Sequence, residues 1–343
     1  MGRNVNRKIM KTKAIALLSG GLDSRLAVKL MLEQGVEVIA LNFVTCFCTC
    51  TPKSSCRSEA KQAAEEFGIP LKILNHTEAL MRAVKNPKHG FGRGLNPCLD
   101  CRIAMFKKAA EVMEQEGATF IVTGEVLGER PMSQRLDAIK IIERDSLLKG
   151  KILRPLSAKL FEPTDAEKQG IVERKRLLAI SGRGRKPQIK LAEDLGINDY
   201  PCPAGGCLLT DKNYAAKLKS LLGINADPTN KELNLLKVGR HFFIEEHLVV
   251  VGRNEEENAR LEQLKENMDV SLTCRGFEGP TTIIKGNDIS SELLTKAAAL
   301  TARYSQGRNE EQVLVSCVNG GKEQIVHAKP SDGFKLAEAL SGN

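Results

Sequence analysis

The sequence predicts an α/β protein, a doubly wound parallel sheet followed by a smaller α+β domain. Three observations predict it. Continuous Val/Ile/Leu runs recur through the first third, each followed by a segment of helical spacing, the pattern of parallel strands covered on both faces. Glycines punctuate the ends of the helical segments, as at Gly35 and Gly68. At 343 residues the chain also exceeds the length at which one core stops growing, about 250–300 residues.

The elements follow in order. "KAIALLSGG" reads as a strand and Ser24–Gln34 as a helix stopped by Gly35. "VEVIALNFV" is the next strand, Ser58–Phe67 the next helix, and "PLKILNHT" a third strand. A helix over Ile103–Gln115 and the strand "ATFIVTGEV" come next. "KILRPLSAKLFEPTDAEKQG" holds a further strand, with Pro163-Thr164 starting a short helix, and "RGRKPQIKLAEDLGI" is another helix. After "PCPAGGCLLTD" the positive excess vanishes, which places a boundary near Asp211 and divides the chain into domains 1–210 and 211–343. In open parallel sheets ligands sit at the carboxyl ends of the strands. "SGGLDS", "CFCTC" and "TGEVLGER" all follow strands, so they can converge on one crevice.

Charge and cysteine content narrow the function classes. The net charge is +9, and residues 130–190 carry 16 Lys/Arg against 7 Asp/Glu, whereas residues 211–343 carry 17 against 19. A polyanionic partner would meet the N-terminal two-thirds; the plain alternative is a solvated basic face. No apolar run reaches the roughly 18–20 residues that cross a bilayer. "MGRNVNRKIMKTK" lacks the apolar core of a signal peptide, so a cytoplasmic protein without membrane association is expected. In a reducing compartment, 10 cysteines point to metal, iron–sulfur or sulfur chemistry rather than to disulfides.

A Gly-Gly pair between a buried strand and a helix lets backbone N–H groups approach an anion, with the helix dipole adding to the attraction. The spacing is neither that of a Walker A loop nor that of the GxGxxG dinucleotide fingerprint. Ser19, Gly20, Gly21, Leu22, Asp23 and Ser24 resemble, without a mismatch, the S-G-G-x-D-S loop of the PP-loop ATP pyrophosphatases, also called adenine-nucleotide alpha hydrolases. The resemblance implies ATP and Mg2+: the loop binds the β,γ-pyrophosphate, Ser19 and Ser24 donate hydroxyl bonds, and Asp23 stands close to magnesium. By the same resemblance Gly124 lets the strand end before it close on adenine or ribose. A plain strand-to-helix turn with Ser and Asp as caps is the alternative.

"NPCLDCR" places Cys98 and Cys101 at a helix start, where the dipole is expected to lower their pKa values and favour thiolate. Together with a distant Cys207 they can hold three irons of a [4Fe–4S] cluster, with the fourth iron open to exogenous sulfide. The same sulfurs can instead carry a persulfide and resolve it by exchange. Cys207 is preferred to Cys202 because the Gly-Gly before it permits close backbone approach; structural zinc on Cys98, Cys101, Cys202 and Cys207 is the competing reading. "NPCLDCR" and "AGGCLL" occupy places similar to the two cysteine segments of the tRNA-thiolating PP-loop enzymes, and the CxxC plus one further cysteine resembles the cluster-dependent thiolases. Cys46, Cys48, Cys50 and Cys56 form a separate group, either ligands or relay thiols or small buried residues, with no metal assigned.

"RPLSAK" resembles the Pro-Leu segment that precedes substrate-contacting basic residues in that family, making Arg154 and Lys159 candidate RNA contacts. "ERKRLLAISGRGRK" adds Arg174, Lys175, Arg176, Arg183, Arg185 and Lys186, of which Arg183, Arg185 and Lys186 lie in a Gly-interleaved basic loop suited to a phosphate backbone. Over about the last hundred residues Gly252, Arg253, Asn254 and Asn258 resemble the RNA-binding domain of the NFACT proteins, though the segment is slightly acidic and poor in aromatics. There RNA contact would fall to Arg253, Arg275, Arg303 and Arg308. The five histidines are scattered and read as ordinary, with His89 beside the CxxC the one functional candidate.

The combined expectation is an ATP-dependent tRNA thiolase. Asp23, Cys98, Cys101 and Cys207 are the catalytic candidates, tRNA the acceptor, and sulfide or a persulfide carrier the sulfur donor. A PP-loop enzyme acting on a small molecule, and an RNA-binding protein with a degenerate ATPase domain, are the alternatives.

Overall fold

A computed structural model describes residues 12–49, 56–201, 206–286 and 288–331. Cys50, the Cys56 side chain and Cys202 lie outside the described residues, as does the basic N-terminal segment up to residue 11. The chain divides into two compact units, residues 1–207 and 208–343.

The first unit alternates β1 (Lys13–Leu17), α1 (Leu22–Leu32), β2 (Glu37–Val44), α2 (Cys56–Glu66), β3 (Leu71–Asn75), α3 (Thr77–Lys85), α4 (Cys98–Gln115), β4 (Phe120–Thr123), α5 (Leu136–Asp145) and β5 (Ile152–Leu153). The short α6 (Asp165–Lys168) and α7 (Lys186–Asp194) follow. The strands form one sheet in the order β3-β2-β1-β4-β5, with every neighbouring pair parallel. Burial on both faces explains why β1 needs no polar alternation. Ala14 and Ala16 pack into a cluster with α1, α2 and α7, while Ile15 and Leu17 pack into a second cluster with α4 and α5. Each large apolar side chain so buried contributes ~1.5–3 kcal/mol before chain entropy is set against it.

The chain order reverses between β1 and β4, so the loops after these two strands flank the topological switch point, the usual crevice of such sheets. Two helices were not anticipated from the sequence. Thr77–Lys85 follows an Asn75 side chain that accepts from Thr77 N at 2.9 Å, and Leu136–Asp145 buries Ala138, Ile139 and Ile142 at helical spacing. The helix expected from Ile103 starts five residues earlier, at Cys98, directly after Pro97.

The second unit contains α8 (Lys212–Ile224), α9 (Asn230–Leu235), β6 (Arg240–Ile244), β7 (His247–Val251) and α10 (Glu255–Leu264). It continues through β8 (Val270–Cys274), β9 (Thr282–Ile284), α11 (Ser291–Arg303), β10 (Val313–Asn319) and β11 (Lys322–Ala328). Its six strands run antiparallel in the order β11-β10-β8-β9-β7-β6, and the apolar face of α11 closes their core. Side-chain caps start its helices: Asp211 accepts from Tyr214 N, Thr229 from Glu232 N, Asn254 from Glu257 N and Ser290 from Leu293 N. Asn258, singled out in the sequence, serves structure here. Its Oδ1 accepts from Thr281 N at 3.0 Å, and a side chain on Gly252 would collide with it. Among the described residues no helix is long and apolar enough to cross a membrane.

Candidate functional site

The glycine loop is tightly supported from below. Gly20 has φ +85° and lies so close to α2 that a Cβ would come within 2.4 Å of the Glu59 backbone, which excludes any other residue. Gly21 is the extended N-cap of α1. Arg25, fully buried, donates from Nε to Gly20 O at 2.9 Å and pairs with Glu66 at 2.5 Å, bracing the loop from inside the fold. The two serines face each other: Ser19 Oγ and Ser24 Oγ are 3.2 Å apart, and Ser24 Oγ donates to Gly21 O at 2.8 Å. These hydroxyls can reorient toward an anion while the backbone around them stays fixed.

The end of β4 presses on the same loop. A Cβ on Gly124 would stand 2.5 Å from the backbone of Asp23 and Ser24, so only glycine lets the end of β4 approach the loop this closely. The next residue, Glu125, is a buried hub. Its Oε1 accepts from Arg102 Nη2 at 2.5 Å and Nε at 3.0 Å, and its Oε2 accepts from Arg154 Nε at 3.1 Å. Burial alone would raise the Glu125 pKa, but the two guanidiniums outweigh it and hold the carboxyl below the usual range. Arg154 is 3% exposed and also pairs with Glu143, so it is a structural ion-pair residue and not the RNA contact expected of it. Arg102 directly follows Cys101, and the hub therefore fixes the helix that carries the CxxC.

Cys98 and Cys101 lie at the start of α4, as expected, but their proton affinities run opposite to expectation. Burial raises the Cys98 pKa against Arg130, Arg102 and an Asn96 hydrogen bond. Burial pushes Cys101 up to about 12; Arg102 offsets only part of this, and the charges of Cys207, Cys98 and Asp100 add to it. Desolvation wins over the helix dipole because a thiolate loses its hydration there. Cys98 and Cys207 both act on the Cys101 thiol. The "CFCTC" segment joins them. Cys48 forms an antiparallel bridge with Cys207, Thr49 Oγ1 donates to Gly206 O at 3.0 Å, and Cys46 N donates to Thr77 Oγ1 at 3.1 Å. Cys48 is disulfide-bonded, a departure from the expectation that the cysteines avoid disulfides. His76, read as ordinary, is buried edge-on to Phe43 at 5.3 Å and close to the Cys101 backbone. Burial, with Arg102 and Arg82, keeps its pKa low despite that backbone partner.

Among the described residues no three His, Cys, Asp or Glu side chains stand where they could hold a metal ion. A single zinc gathers its sulfurs at about 2.3 Å from the metal. A four-iron cluster is a wider body that neighbouring but separated thiols can reach, and an all-thiol donor set suits it. His89, the other candidate, bonds Asp145 at 2.9 Å through Nε2, and its backbone N donates to Oδ2 of Asp100, within the CxxC, at 3.0 Å.

A second charged group surrounds Asp23. Arg185 Nη2 lies 3.7 Å from Asp23 Oδ2, so the residue assigned to RNA in the sequence reaches the glycine loop instead. Burial raises the Asp23 pKa, opposed by Arg185, Arg130 and Gln188. The Glu129 pKa is raised by burial and by Asp23, and opposed by Arg130 and Arg185. Arg130 thus opposes the rise in proton affinity at both Asp23 and Cys98. Lys159, Arg183 and Lys186 are exposed, as a surface role requires, and Lys159 Nζ donates to Lys175 O at 3.0 Å. In the second unit Arg253 is exposed and stands 3.6 Å from Glu257, while Arg275 pairs with Glu323.

Residues 9–172 match the family described as thiamine biosynthesis protein (ThiI), and residues 239–338 match the NFACT protein RNA binding domain. The tRNA-specific 2-thiouridylase MnmA of Deinococcus radiodurans is 27% identical over 135 residues, 35% of this chain and 34% of that protein. Its counterpart from Carboxydothermus hydrogenoformans is 26% identical over 259 residues, 68% of this chain and 65% of that protein. The chain therefore spans less than two thirds of the length of either relative. A solved 4-thiouridine synthetase–RNA complex with bound ATP is similar at 25% identity and a TM-score of 0.35, over 54% of this chain and 52% of that one.

Proposed function

We propose that this chain, whose residues 9–172 match the ThiI family and which is similar to tRNA 2-thiouridylases, is a tRNA-thiolating PP-loop enzyme that replaces a uridine carbonyl oxygen of tRNA with sulfur at the expense of ATP. The observation that carries the reading is the glycine loop itself: Gly20 seated against α2, Gly21 at the start of α1, and the Ser19 and Ser24 hydroxyls 3.2 Å apart over it. Nucleotide activation and sulfur delivery need to face one substrate atom, and the CxxC at the start of α4 lies in the same unit as the loop.

ATP is taken with its β,γ-phosphates against the Gly20-Gly21 backbone and the start of α1, where Ser19 and Ser24 turn their hydroxyls from each other to the phosphate oxygens. The uridine carbonyl oxygen bonds to the α-phosphorus as the bond to pyrophosphate breaks. Sulfide then attacks the activated carbon, and the carbon–oxygen bond breaks to release AMP; where a cysteine persulfide delivers the sulfur, its outer sulfur attacks, a second thiolate takes the inner sulfur as the S–S bond breaks, and an external thiol reductant reopens the resulting disulfide. Cys98, Cys101 and Cys207 hold that sulfur; a [4Fe–4S] cluster on them would supply an open iron for sulfide. Their partial burial supports the reading, because water at the activated carbon would return the original uridine. Asp23, in the first turn of α1, would face the Mg2+ that accompanies ATP. Lys159, Arg183, Lys186 and Arg253 provide positive charge for the RNA backbone.

The test is product analysis of labelled ATP with anaerobically purified protein and sulfide, with and without bulk tRNA. AMP and pyrophosphate formed only with tRNA, together with thiouridine in the digested RNA, support the assignment. AMP formed without tRNA moves the acceptor to a small molecule, and ADP with phosphate refutes the loop's role. In the same assay Cys101→Ala should retain ATP binding and lose sulfur transfer.

A further inference from the structure

The start of α7 carries an unusual set of unmet polar groups. Gln188 is 0% exposed, yet neither its Nε2 nor its Oε1 has a hydrogen-bond partner. Arg185 Nε and Asp23 Oδ1 are likewise buried without one. All three residues surround the same spot: Arg185 and Gln188 both act to hold down the proton affinity of Asp23, and the Arg185–Asp23 separation of 3.7 Å is too long for a hydrogen bond. Buried amides are nearly always paired, and a group of them left open beside a loop built for an anion marks a place where a ligand completes the bonding.

The backbone around these groups is held firmly. Gly182 N donates to Leu127 O at 2.7 Å, and Leu127 bridges Ser181 in parallel. Ser157, fully buried, accepts from Leu127 N at 3.0 Å and donates to Ile180 O at 2.6 Å. The segment 181–186 is thereby tied to the loop after β4, and α7 packs against α1, the helix that begins at the glycine loop. Pro187 in the first turn of α7 sets the helix start in place.

We infer that residues 181–188 form a second wall of the nucleotide's phosphate site, in which Arg185 leaves Asp23 for the pyrophosphate oxygens and Gln188 hydrogen-bonds the same group. The inference rests on the ATP reading above and assigns Arg185 to the nucleotide rather than to RNA. A polyphosphate carries more negative charge than one carboxylate, so a guanidinium loosely held by Asp23 transfers to it readily. A planar guanidinium also matches two phosphate oxygens at once. The exchange frees Asp23 at the moment the nucleotide's magnesium arrives.

The test uses the full chain, calorimetric binding of magnesium pyrophosphate and of MgATP without tRNA, thermal melting, and tRNA gel shift. Arg185→Gln should weaken pyrophosphate binding by about 10-fold or more, as loss of a charge-assisted bond does. Arg185→Lys should recover only part of it. Gln188→Met is the decisive variant. It replaces unmet buried polar atoms with an apolar chain of similar shape, so it should raise the melting temperature of the unliganded protein while weakening pyrophosphate binding. Stability and affinity moving in opposite directions is a result that a purely structural role for Gln188 does not produce. Unchanged pyrophosphate binding in Arg185→Gln, with weakened tRNA binding, overturns the assignment and returns Arg185 to RNA. A wild-type chain that binds neither pyrophosphate nor ATP overturns the nucleotide reading itself, and this inference with it.

Discussion

Replacing Glu125 by Gln isolates the charge of the buried hub without changing its shape. Glu125 accepts from two guanidiniums, one of them 3% exposed, and Arg154 already leaves Nη2 without a partner. Breaking a buried ion pair by neutralising one member costs about 3–5 kcal/mol. Gln keeps one acceptor oxygen for one arginine, and Arg154 keeps Glu143, so about 3 kcal/mol is the expected loss at neutral pH. For a unit of 207 residues, at about 2–4 °C per kcal/mol, the melting temperature should fall by about 6–12 °C. The pH dependence has a definite sign. The Glu125 pKa is held below its unfolded value, so its stabilisation is complete above the unfolded carboxyl pKa of about 4.3 and is lost as pH falls through the folded value. Wild type and Glu125→Gln should therefore differ fully at pH 7 and converge below pH ~4. Calorimetric melting across that range measures both. A variant as stable as wild type at pH 7, or a gap that persists unchanged in acid, would refute the reasoning.

Gly124→Ala places a methyl 2.5 Å from the Asp23–Ser24 backbone; it should destabilise the first unit by about 1–3 kcal/mol and weaken ATP binding, read by melting and calorimetry. In the second unit burial, with Lys217, lowers the His241 pKa to about 3 although Nε2 bonds Leu235 O at 2.9 Å. Because the folded form stays neutral where the unfolded chain takes a proton, stability should be full above pH ~6.5 and fall by up to ~1.4 kcal/mol per pH unit below it. His241→Gln should flatten that slope in urea titrations. Arg183→Gln with Lys186→Gln should reduce the salt dependence of tRNA affinity, by ~0.7–0.9 in log–log slope for each RNA phosphate left without its cation. Arg154→Gln should instead lower the melting temperature and leave the slope unchanged.

What the sequence made legible was local and periodic. The parallel sheet could be read because β1, β2 and β4 are buried on both faces, and the glycine loop because a strand-to-helix turn needs its residues consecutively. The two unanticipated helices sit in segments that the sequence assigned elsewhere: Thr77, the first residue of α3, falls at the end of the expected strand "PLKILNHT", and Leu136 follows the loop-like "RPMSQR". The site partners were harder to see because each is distant in sequence from the group it serves. Arg25 braces Gly20 through its own helix, but Glu125 meets Arg102 and Arg154 only once β4 lies between them in space. A glutamate directly after Thr-Gly at a strand end, and an arginine directly after the CxxC, were the available signals. The thiol pKa values could not be anticipated, since helix position shows in a sequence and burial depth does not.

Charge counting on the sequence also overstates the surface available to RNA. Within residues 130–190, Arg154 is buried against Glu125 and Glu143, Arg174 pairs with Glu167 at 2.6 Å, Arg144 with Asp145 at 2.7 Å, and Arg185 stands over Asp23. The arginines are thus largely engaged with carboxylates of the fold, whereas Lys159, Lys175, Arg176, Arg183, Lys186 and Lys190 remain exposed. That partition follows from the chemistry of the two cations. A guanidinium is weakly hydrated and can satisfy a buried carboxylate through several donors, while an ammonium holds its water and stays outside. A basic segment of this composition can therefore build an ion-paired interior with its arginines and present its lysines to a polyanion. Arg183 and Arg185, two residues apart and of the same chemistry, are divided by position instead: one is exposed to solvent, the other stands beside an acid of the glycine loop. If Arg185 serves pyrophosphate and its exposed neighbours serve RNA, one short loop would touch both substrates, and substitutions within it should separate their affinities residue by residue.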